Sequence, residues 1–195
     1  MGKYSYDIFY DDNKTKDELI NNCILCKTSY SDVVEIVKIL SKSFSIYSER
    51  EVVRQLLYSN ADLDNSVKII DKRDNKIYGL LIFSKFPISS GSPIINFNIK
   101  LSDYLSKHTQ INGHSFIIDI RLRGTSFDKK MLLFQKDYIN EYDFIWCGVE
   151  KELKTHKYWE HLGFVKLFET DEAIFYIYPK DKKLLLDIFI LKIVP

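Results

Sequence analysis

From Phe116 onward the chain alternates. Phe116, Ile118, Ile120 and Leu122 interleave with Ile117, Asp119, Arg121 and Arg123, the two-residue period of a strand packed on one face. The alternation breaks at Arg123-Gly124-Thr125-Ser126. From Phe127 the apolar spacing lengthens: Phe127, Met131 and Phe134, with Gln135, Tyr138 and Ile139, make one helical stripe. A strand that passes through a Gly-containing turn into a helix start aims unpaired N–H groups at one spot, a natural anion site. Downstream, the pattern predicts a buried strand over Asp143–Val149. A helix over Leu153–Leu162 follows, stopped by Gly163, then a hairpin of Phe164–Phe168 with Ala173–Tyr178. Residues 181–195 predict a last strand or helix laid on the sheet.

Upstream the signals are shorter. Residues 1–21 read as a polar arm, or as a short strand at Tyr6–Tyr10 followed by a turn. Asn22–Lys27 predicts a strand. Ser31-Asp32 offers an N-cap to a helix carrying Val33, Ile36, Val37 and Leu40. Ser48 stands three residues before Glu51, a capping box that opens the helix SEREVVRQLLYS, which ends at Asn60. Val67, Ile69 and Ile70 pair with Ile77–Phe83 around a polar turn at 71–76, and Gly79 marks a bulge or a close backbone approach. Residues 84–114, punctuated by Pro87, Gly91 and Pro93, predict an irregular insertion with one short helix at Leu101–Lys107.

Composition narrows the classes. The 195 residues suit one domain, and 46% hydrophobic residues are enough for a core. Charged residues are 28%, well mixed, with a net charge of +1, so neither a nucleic-acid footprint nor a polybasic membrane patch is expected. The three cysteines, Cys23, Cys26 and Cys147, fit a reducing, cytoplasmic compartment rather than a disulfide framework. Cys23-Ile24-Leu25-Cys26 has no second ligand pair, so buried thiols are expected and no metal site. No signal peptide or spanning segment is expected. The Lys, Ile, Asn and Tyr richness hints at an AT-rich genome, bacterial or phage. Walker A, Rossmann and Gly-x-Ser-x-Gly patterns are absent from the sequence.

Two stretches resemble one family. FIIDIRLRGTSFDKKML looks like the acetyl-CoA signature of the GNAT N-acetyltransferase superfamily, Arg/Gln-x-x-Gly-x-Gly/Ala. Tyr158-Trp159-Glu160-His161-Leu162-Gly163-Phe164 looks like that family's aromatic-Glu-x-Leu-Gly-Phe helix ending. The order of elements over residues 22–178 is similar as well. The signature fits in two registers. From Arg121 it gives Arg121, Gly124 and Ser126. From Arg123, where the apolar flanks align better, Ser126 and Asp128 stand in place of the glycines.

The resemblance implies an α/β fold: a GNAT-like mixed, mostly antiparallel central sheet flanked by helices on both faces. It implies a domain over 22–180, with 84–114 inserted and shaping the acceptor pocket, an arm at 1–21 and an extension at 181–195. It implies acetyl-CoA as co-substrate, held by Ile120, Arg121, Leu122, Arg123, Gly124, Thr125, Ser126, Phe127 and Asp128, with its pantetheine arm along the main chain near Asp119–Leu122. The acetyl group would pass directly to an amine on a small molecule or protein, in a monomer or homodimer. For proton transfer the candidates are Tyr158 and His156 as acid and Asp119 as base, with Glu150 a second base and His108 and His114 possible substrate contacts. Each has a plainer reading: Tyr158 and Trp159 as packing aromatics, Asp119 as the ion-pair partner of Arg121. A Ser in a glycine position can donate its hydroxyl, whereas Asp128 repels phosphate. The alternative implied by those departures is a GNAT-fold binding or structural protein without catalysis, such as a phage particle or host-interaction component.

Overall fold

The computed structural model describes residues 10, 12–44, 47–88, 94–151 and 156–193. The expected strand at Tyr6–Tyr10 lies, but for Tyr10, outside them. In chain order the elements are α1 (Lys16–Asn22), β1 (Cys23–Lys27), α2 (Val33–Ser43), α3 (Glu49–Tyr58), β2 (Ala61–Asp71), β3 (Ile77–Ser84), α4 (Ile94–Phe97) and α5 (Ile99–Leu105). Then come β4 (Gln110–Ile118), α6 (Phe127–Phe134), α7 (Lys136–Ile139), β5 (Phe144–Glu150), α8 (His156–His161), β6 (Val165–Glu169), β7 (Ala173–Pro179) and α9 (Lys182–Ile193). The strands form a seven-stranded sheet in the order β1-β2-β3-β4-β5-β7-β6. The β4/β5 pairing is parallel, and β1/β2, β2/β3, β5/β7 and β6/β7 are antiparallel. The expected mixed, mostly antiparallel sheet is therefore present. The chain divides into two compact units, 1–84 with 114–136 and 85–113 with 137–195.

In the first unit, local chemistry sets the helix starts. Ser48 Oγ accepts from Glu51 N at 3.3 Å while the Glu51 carboxylate accepts from Ser48 N at 2.7 Å, the expected capping box. Thr15 and Glu18 repeat it at 3.2 and 2.7 Å, so the polar arm contains a helix, α1. Each such cap stabilises by about 1 kcal/mol. Asp32 stands at the N-cap of α2 without capping it. Its carboxylate instead accepts from Ser29 N at 2.8 Å and from Lys68 Nζ at 2.6 Å.

Helices α2 and α3 bury Ile36, Leu40, Val52 and Leu56 against Ile77, Leu80, Ile82 and Ile117 of the strands. A bulge makes this face continuous. Ile70 pairs with Ile77 but Ile69 pairs with Gly79, which leaves Tyr78 as the extra residue. Ile77, Leu80 and Ile82 thereby share a side. Gly79 beside the bulge is the expected close approach: a Cβ there would lie 2.6 Å from Ile69 Cδ1. Helix α6 runs against β1 and β2, with Phe127 and Met131 buried.

Two expectations fail here. The strand predicted over Phe116–Arg123 is β4, which begins at Gln110 and ends at Ile118. The next three residues, Ile120–Leu122, form a 3-10 turn whose N-cap, Asp119, accepts from Arg121 N at 2.9 Å. A short side chain that captures a backbone N–H competes with the ladder and ends the strand. Ile120, an inward position by alternation, is 52% exposed. The helical stripe through Ile139 is also broken, because α6 stops at Phe134 and α7 starts afresh at Lys136, leaving Phe134 exposed.

The second unit contains the stretch expected to be irregular. It holds α4, α5 and the first residues of β4; residues 89–93 lie outside the description. Ile88, Ile94, Leu101 and Leu105 pack with Phe144, Trp146, Leu167 and Ile177, and with Leu184 and Ile188 of α9. The C-terminal stretch is thus a helix that belongs to a core. Asn98 caps α5 by accepting from Leu101 N at 2.9 Å. Helix α8 ends in a Schellman motif: Phe164 N donates to Trp159 O at 3.0 Å and Gly163 N to Glu160 O at 2.9 Å, with Gly163 at φ +93°. The accompanying apolar contact is Trp159 against Phe164, edge to face at 5.1 Å. Among the described residues no helix is long and apolar enough to cross a membrane.

Candidate functional site

The Gly124 loop lies in the first unit, between a locked turn and a helix start. The lock is ionic. Asp119, 1% exposed, ends β4 with its N–H donating to Tyr78 O at 2.8 Å. Its carboxylate accepts from Arg121 Nε at 2.9 Å and Nη2 at 2.8 Å. The remaining edge of the guanidinium donates through Nη1 to Asp12 Oδ1 at 2.7 Å and to Lys14 O at 2.8 Å. Tyr78 Oη donates to the other Asp12 oxygen at 2.6 Å, and its ring lies beneath the guanidinium at 5.6 Å. Lys14 Nζ continues the chain to Asp71 at 2.9 Å and Asp74 at 2.7 Å, and Arg73 also binds Asp71.

This arrangement sets the local charges. The hydrogen bonds it donates to Asp119, chiefly, hold the Arg121 guanidinium more firmly protonated than an ordinary arginine. Burial raises Asp12, but hydrogen bonds from Tyr78 and Arg121 outweigh it and leave the carboxyl below the usual range. Hydrogen bonds from Arg73 lead in pulling Asp71 down. Burial and the Asp12 hydrogen bond push Tyr78 up to about 12.

A pH dependence follows. Asp12 and Asp71 have folded pKa values below their unfolded value of about 3.9, so their contribution is complete above that value. It is lost as pH falls through the folded pKa values. The urea midpoint should fall between pH 7 and 5, as the unfolded chain takes up the His114 proton that burial keeps off the folded one, and fall further below about pH 4 as Asp12 and Asp71 protonate; Asp71→Asn should flatten that second drop while lowering the plateau.

After Leu122, fully buried, the chain turns outward. Gly124 has φ +65°, and a Cβ built there meets nothing within 4 Å. The turn is held from inside: Thr125 N donates to Leu122 O at 3.3 Å, and Thr125 Oγ1 accepts from Phe127 N at 3.3 Å. Phe127, buried, returns the chain to the core. Among the described residues the N–H groups of Gly124, Ser126 and Asp128 have no acceptor. They stand at alternate positions of an exposed loop at the positive end of a helix. Ser126 is the N-cap of α6, without a side-chain cap bond. Asp128 accepts from Lys129 N at 2.7 Å, which places one carboxylate in the first turn. Lys129 and Lys130 are exposed beside it. Each signature register puts its two glycine positions on open amides: Gly124 and Ser126 from Arg121, Ser126 and Asp128 from Arg123. Arg121 itself, expected among the phosphate contacts, is committed to Asp119 and Asp12.

The other candidates lie elsewhere. Asp119 has its carboxylate fully engaged by Arg121. Glu150 ends β5, paired with Ala173. His156 and Tyr158 lie on α8, where only their backbone is described; Trp159 is buried in the helix-end motif. His108 Nδ1 lies 3.0 Å from Tyr104 O at the end of α5. His114, expected in a loop, is a β4 residue whose Nδ1 sits 2.9 Å from Ser115 Oγ, and burial lowers its pKa to about 4. Cys23 and Cys147 are buried thiols and Cys26 is partly so. No cluster of His, Cys, Asp and Glu among the described residues is arranged to hold a metal. Sequence reasoning missed Asp12, Lys14 and Tyr78 as partners of Arg121. Only Thr15-x-x-Glu18, a capping-box pattern, signalled that this arm is ordered.

No protein-family model matches the sequence, and no curated protein sequence does. Solved structures do match. The fold is similar to that of the NatC complex crystallised with Gag peptide and CoA, at 15% identity and a TM-score of 0.60, over 82% of this chain and 99% of that one. It is similar to the ribosomal-protein-S18-alanine N-acetyltransferase of Escherichia coli, at 11% identity and a TM-score of 0.53, over 80% and 93% of the two chains. A GNAT-family acetyltransferase of Listeria monocytogenes matches at 12% identity and a TM-score of 0.51, over 80% and 94%. At these identities the likeness is one of fold, and the fold of this chain is that of the GNAT acetyltransferases.

Proposed function

We propose that this protein is an acyl-CoA-dependent N-acyltransferase that moves an acetyl group from acetyl-CoA directly to an amine. The observation that carries the reading is the Gly124–Asp128 cradle, three acceptor-free N–H groups at a helix start, on a GNAT fold. What supports a pyrophosphate here is the open space over Gly124 and the amides of Gly124, Ser126 and Asp128 at the positive end of α6. Lys129 and Lys130 supply positive charge at its rim, and Ser126 offers a hydroxyl. Arg123, Thr125, Phe127, Ile120 and Leu122 complete the expected set, the last three as the framework of the loop.

Acetyl-CoA supplies an activated acyl carbon. The amine nitrogen bonds to that carbon as the carbon–sulfur bond breaks, the sulfur leaves with a proton, and the ammonium proton goes to a base. Tyr158 and His156 are proposed for these proton transfers. Asp119 serves in this reading as the anchor of Arg121 rather than as the base, because every oxygen it has faces a guanidinium or amide donor. The acceptor is a primary amine; the structural neighbours whose names include a peptide or a ribosomal-protein alanine support a protein N-terminus first. The three free cysteines suit a cytoplasmic setting.

Calorimetric titration with acetyl-CoA tests this. Micromolar binding is expected, followed by thiol release with peptide amines. No heat up to millimolar CoA would sink the enzyme reading and leave a GNAT-fold binding protein. That second reading has one observation in its favour, the Asp128 carboxylate occupying the first turn of α6. Under the enzyme reading Asp128→Asn should tighten CoA binding about 2- to 5-fold, the size of one charge at a helix end.

A further inference from the structure

Asp12 and Lys14 are tied to the Gly124 loop by a continuous path of short contacts. Asp12 Oδ1 accepts from Arg121 Nη1 at 2.7 Å, and Lys14 O accepts from the same nitrogen at 2.8 Å. Arg121 N and Nε both donate to Asp119 Oδ1 at 2.9 Å. Leu122 N donates to Asp119 O at 2.9 Å, and Leu122 O in turn accepts from Thr125 N at 3.3 Å, one residue past Gly124. The guanidinium is therefore gripped on both edges. With Asp119 alone, it would be held on one edge, and Nη1 would lose the Asp12 acceptor that ties the turn to the preceding segment. Asp12 itself has its second oxygen fixed by Tyr78 Oη at 2.6 Å, so it does not yield to Arg121. Asp12 lies in none of the contacts of the α2 and α3 core given above; its link to that core runs through Tyr78 to Tyr10, whose ring lies 5.0 Å from that of Tyr78 and whose Oη donates to Ile77 O at 2.8 Å.

We propose that Asp12 is a positioning residue for the acyl-CoA loop: through Arg121 and Asp119 it fixes the 3-10 turn from which the Gly124 cradle projects. The statement about the cofactor rests on the function proposed above; the statement about the loop does not. Coupling of this kind travels through a packed, hydrogen-bonded chain and typically shifts affinity rather than abolishing it.

The test is hydrogen exchange with mass readout on the full-length protein, wild type against Asp12→Ala and Asp12→Asn, beside acetyl-CoA calorimetry of all three. The hydrogen-bonded amides of Arg121, Leu122, Arg123, Thr125 and Phe127 should exchange about tenfold faster in Asp12→Ala, while those of α2 and α3 stay as in wild type. Acetyl-CoA binding should weaken about 3- to 10-fold. Asp12→Asn keeps an acceptor for Nη1 without the charge and should fall between, which a merely destabilised chain would not reproduce at the loop alone. Unchanged exchange at those loop amides, or equal acceleration through α2 and α3, overturns the positioning role. Wild type that fails to bind acetyl-CoA while the loop still responds overturns the function and leaves the positioning role standing.

Discussion

Gly124→Trp should abolish acetyl-CoA binding, at least 100-fold, and cost little stability. Two features of the glycine separate these effects. Its φ of +65° is a conformation that an L side chain enters at about 1–2 kcal/mol, a loss of a few degrees in Tm for a chain of this size. The space around its Cβ position is empty to 4 Å, so an indole enters without a clash and fills the volume over the amides of Ser126 and Asp128. Gly124→Asn is the companion variant. Asn tolerates the left-handed region and should keep wild-type stability while weakening binding only in part. Calorimetry and thermal melts on the three proteins decide. A Trp variant that binds CoA as wild type does would move the cofactor away from this loop. A Trp variant that unfolds alongside a stable Asn variant would show that the loop, not the glycine's backbone, cannot accept the ring.

What was legible in the sequence was legible because it was local. Ser48 and Glu51 meet within one turn, so their spacing alone predicts the start of α3. Gly163 follows Trp159 at the distance at which a Schellman motif closes, so the end of α8 and the Trp159–Phe164 contact share one six-residue signal. The hairpin of β2 and β3 was clear from its polar turn, and Gly79 from the crowding it relieves.

The misplacement of β4 has a specific cause. Alternation runs on through Ile120 and Leu122, and nothing in the apolar pattern marks Ile118 as the last strand residue. The cue is polar and small, an Asp two residues before an Arg whose backbone N–H it captures. The start of β4 was hidden for a different reason: Gln110–Asn112 pair in parallel with Phe144–Trp146, a partnership across more than thirty positions. The signature's glycine, Gly124, was read correctly as a turn, whereas the role of its arginine was not. Arg121 is separated from Asp12 by 109 positions, and no periodicity joins them.

That arginine sets the largest stability effect. Arg121→Ala leaves the Asp119 carboxylate buried, with 2% of its side chain exposed, and removes its two guanidinium donors, leaving the Arg121-position amide alone. Removing one partner of a buried ion pair costs about 3–5 kcal/mol, a large share of a typical folding free energy of about 5–15 kcal/mol. The urea midpoint should fall accordingly. Pairing Arg121→Met with Asp119→Asn removes both charges of that pair, keeps the cap on the 3-10 turn and should recover part of the loss, the remainder being the Asp12 carboxylate left without its guanidinium. A cost below about 1 kcal/mol for Arg121→Ala, the range of exposed ion pairs, would mean that water reaches Asp119 and that the turn is held by its backbone alone. The Gly124 loop would then have no electrostatic anchor, and the effect of Asp12 on it would vanish with the same measurement.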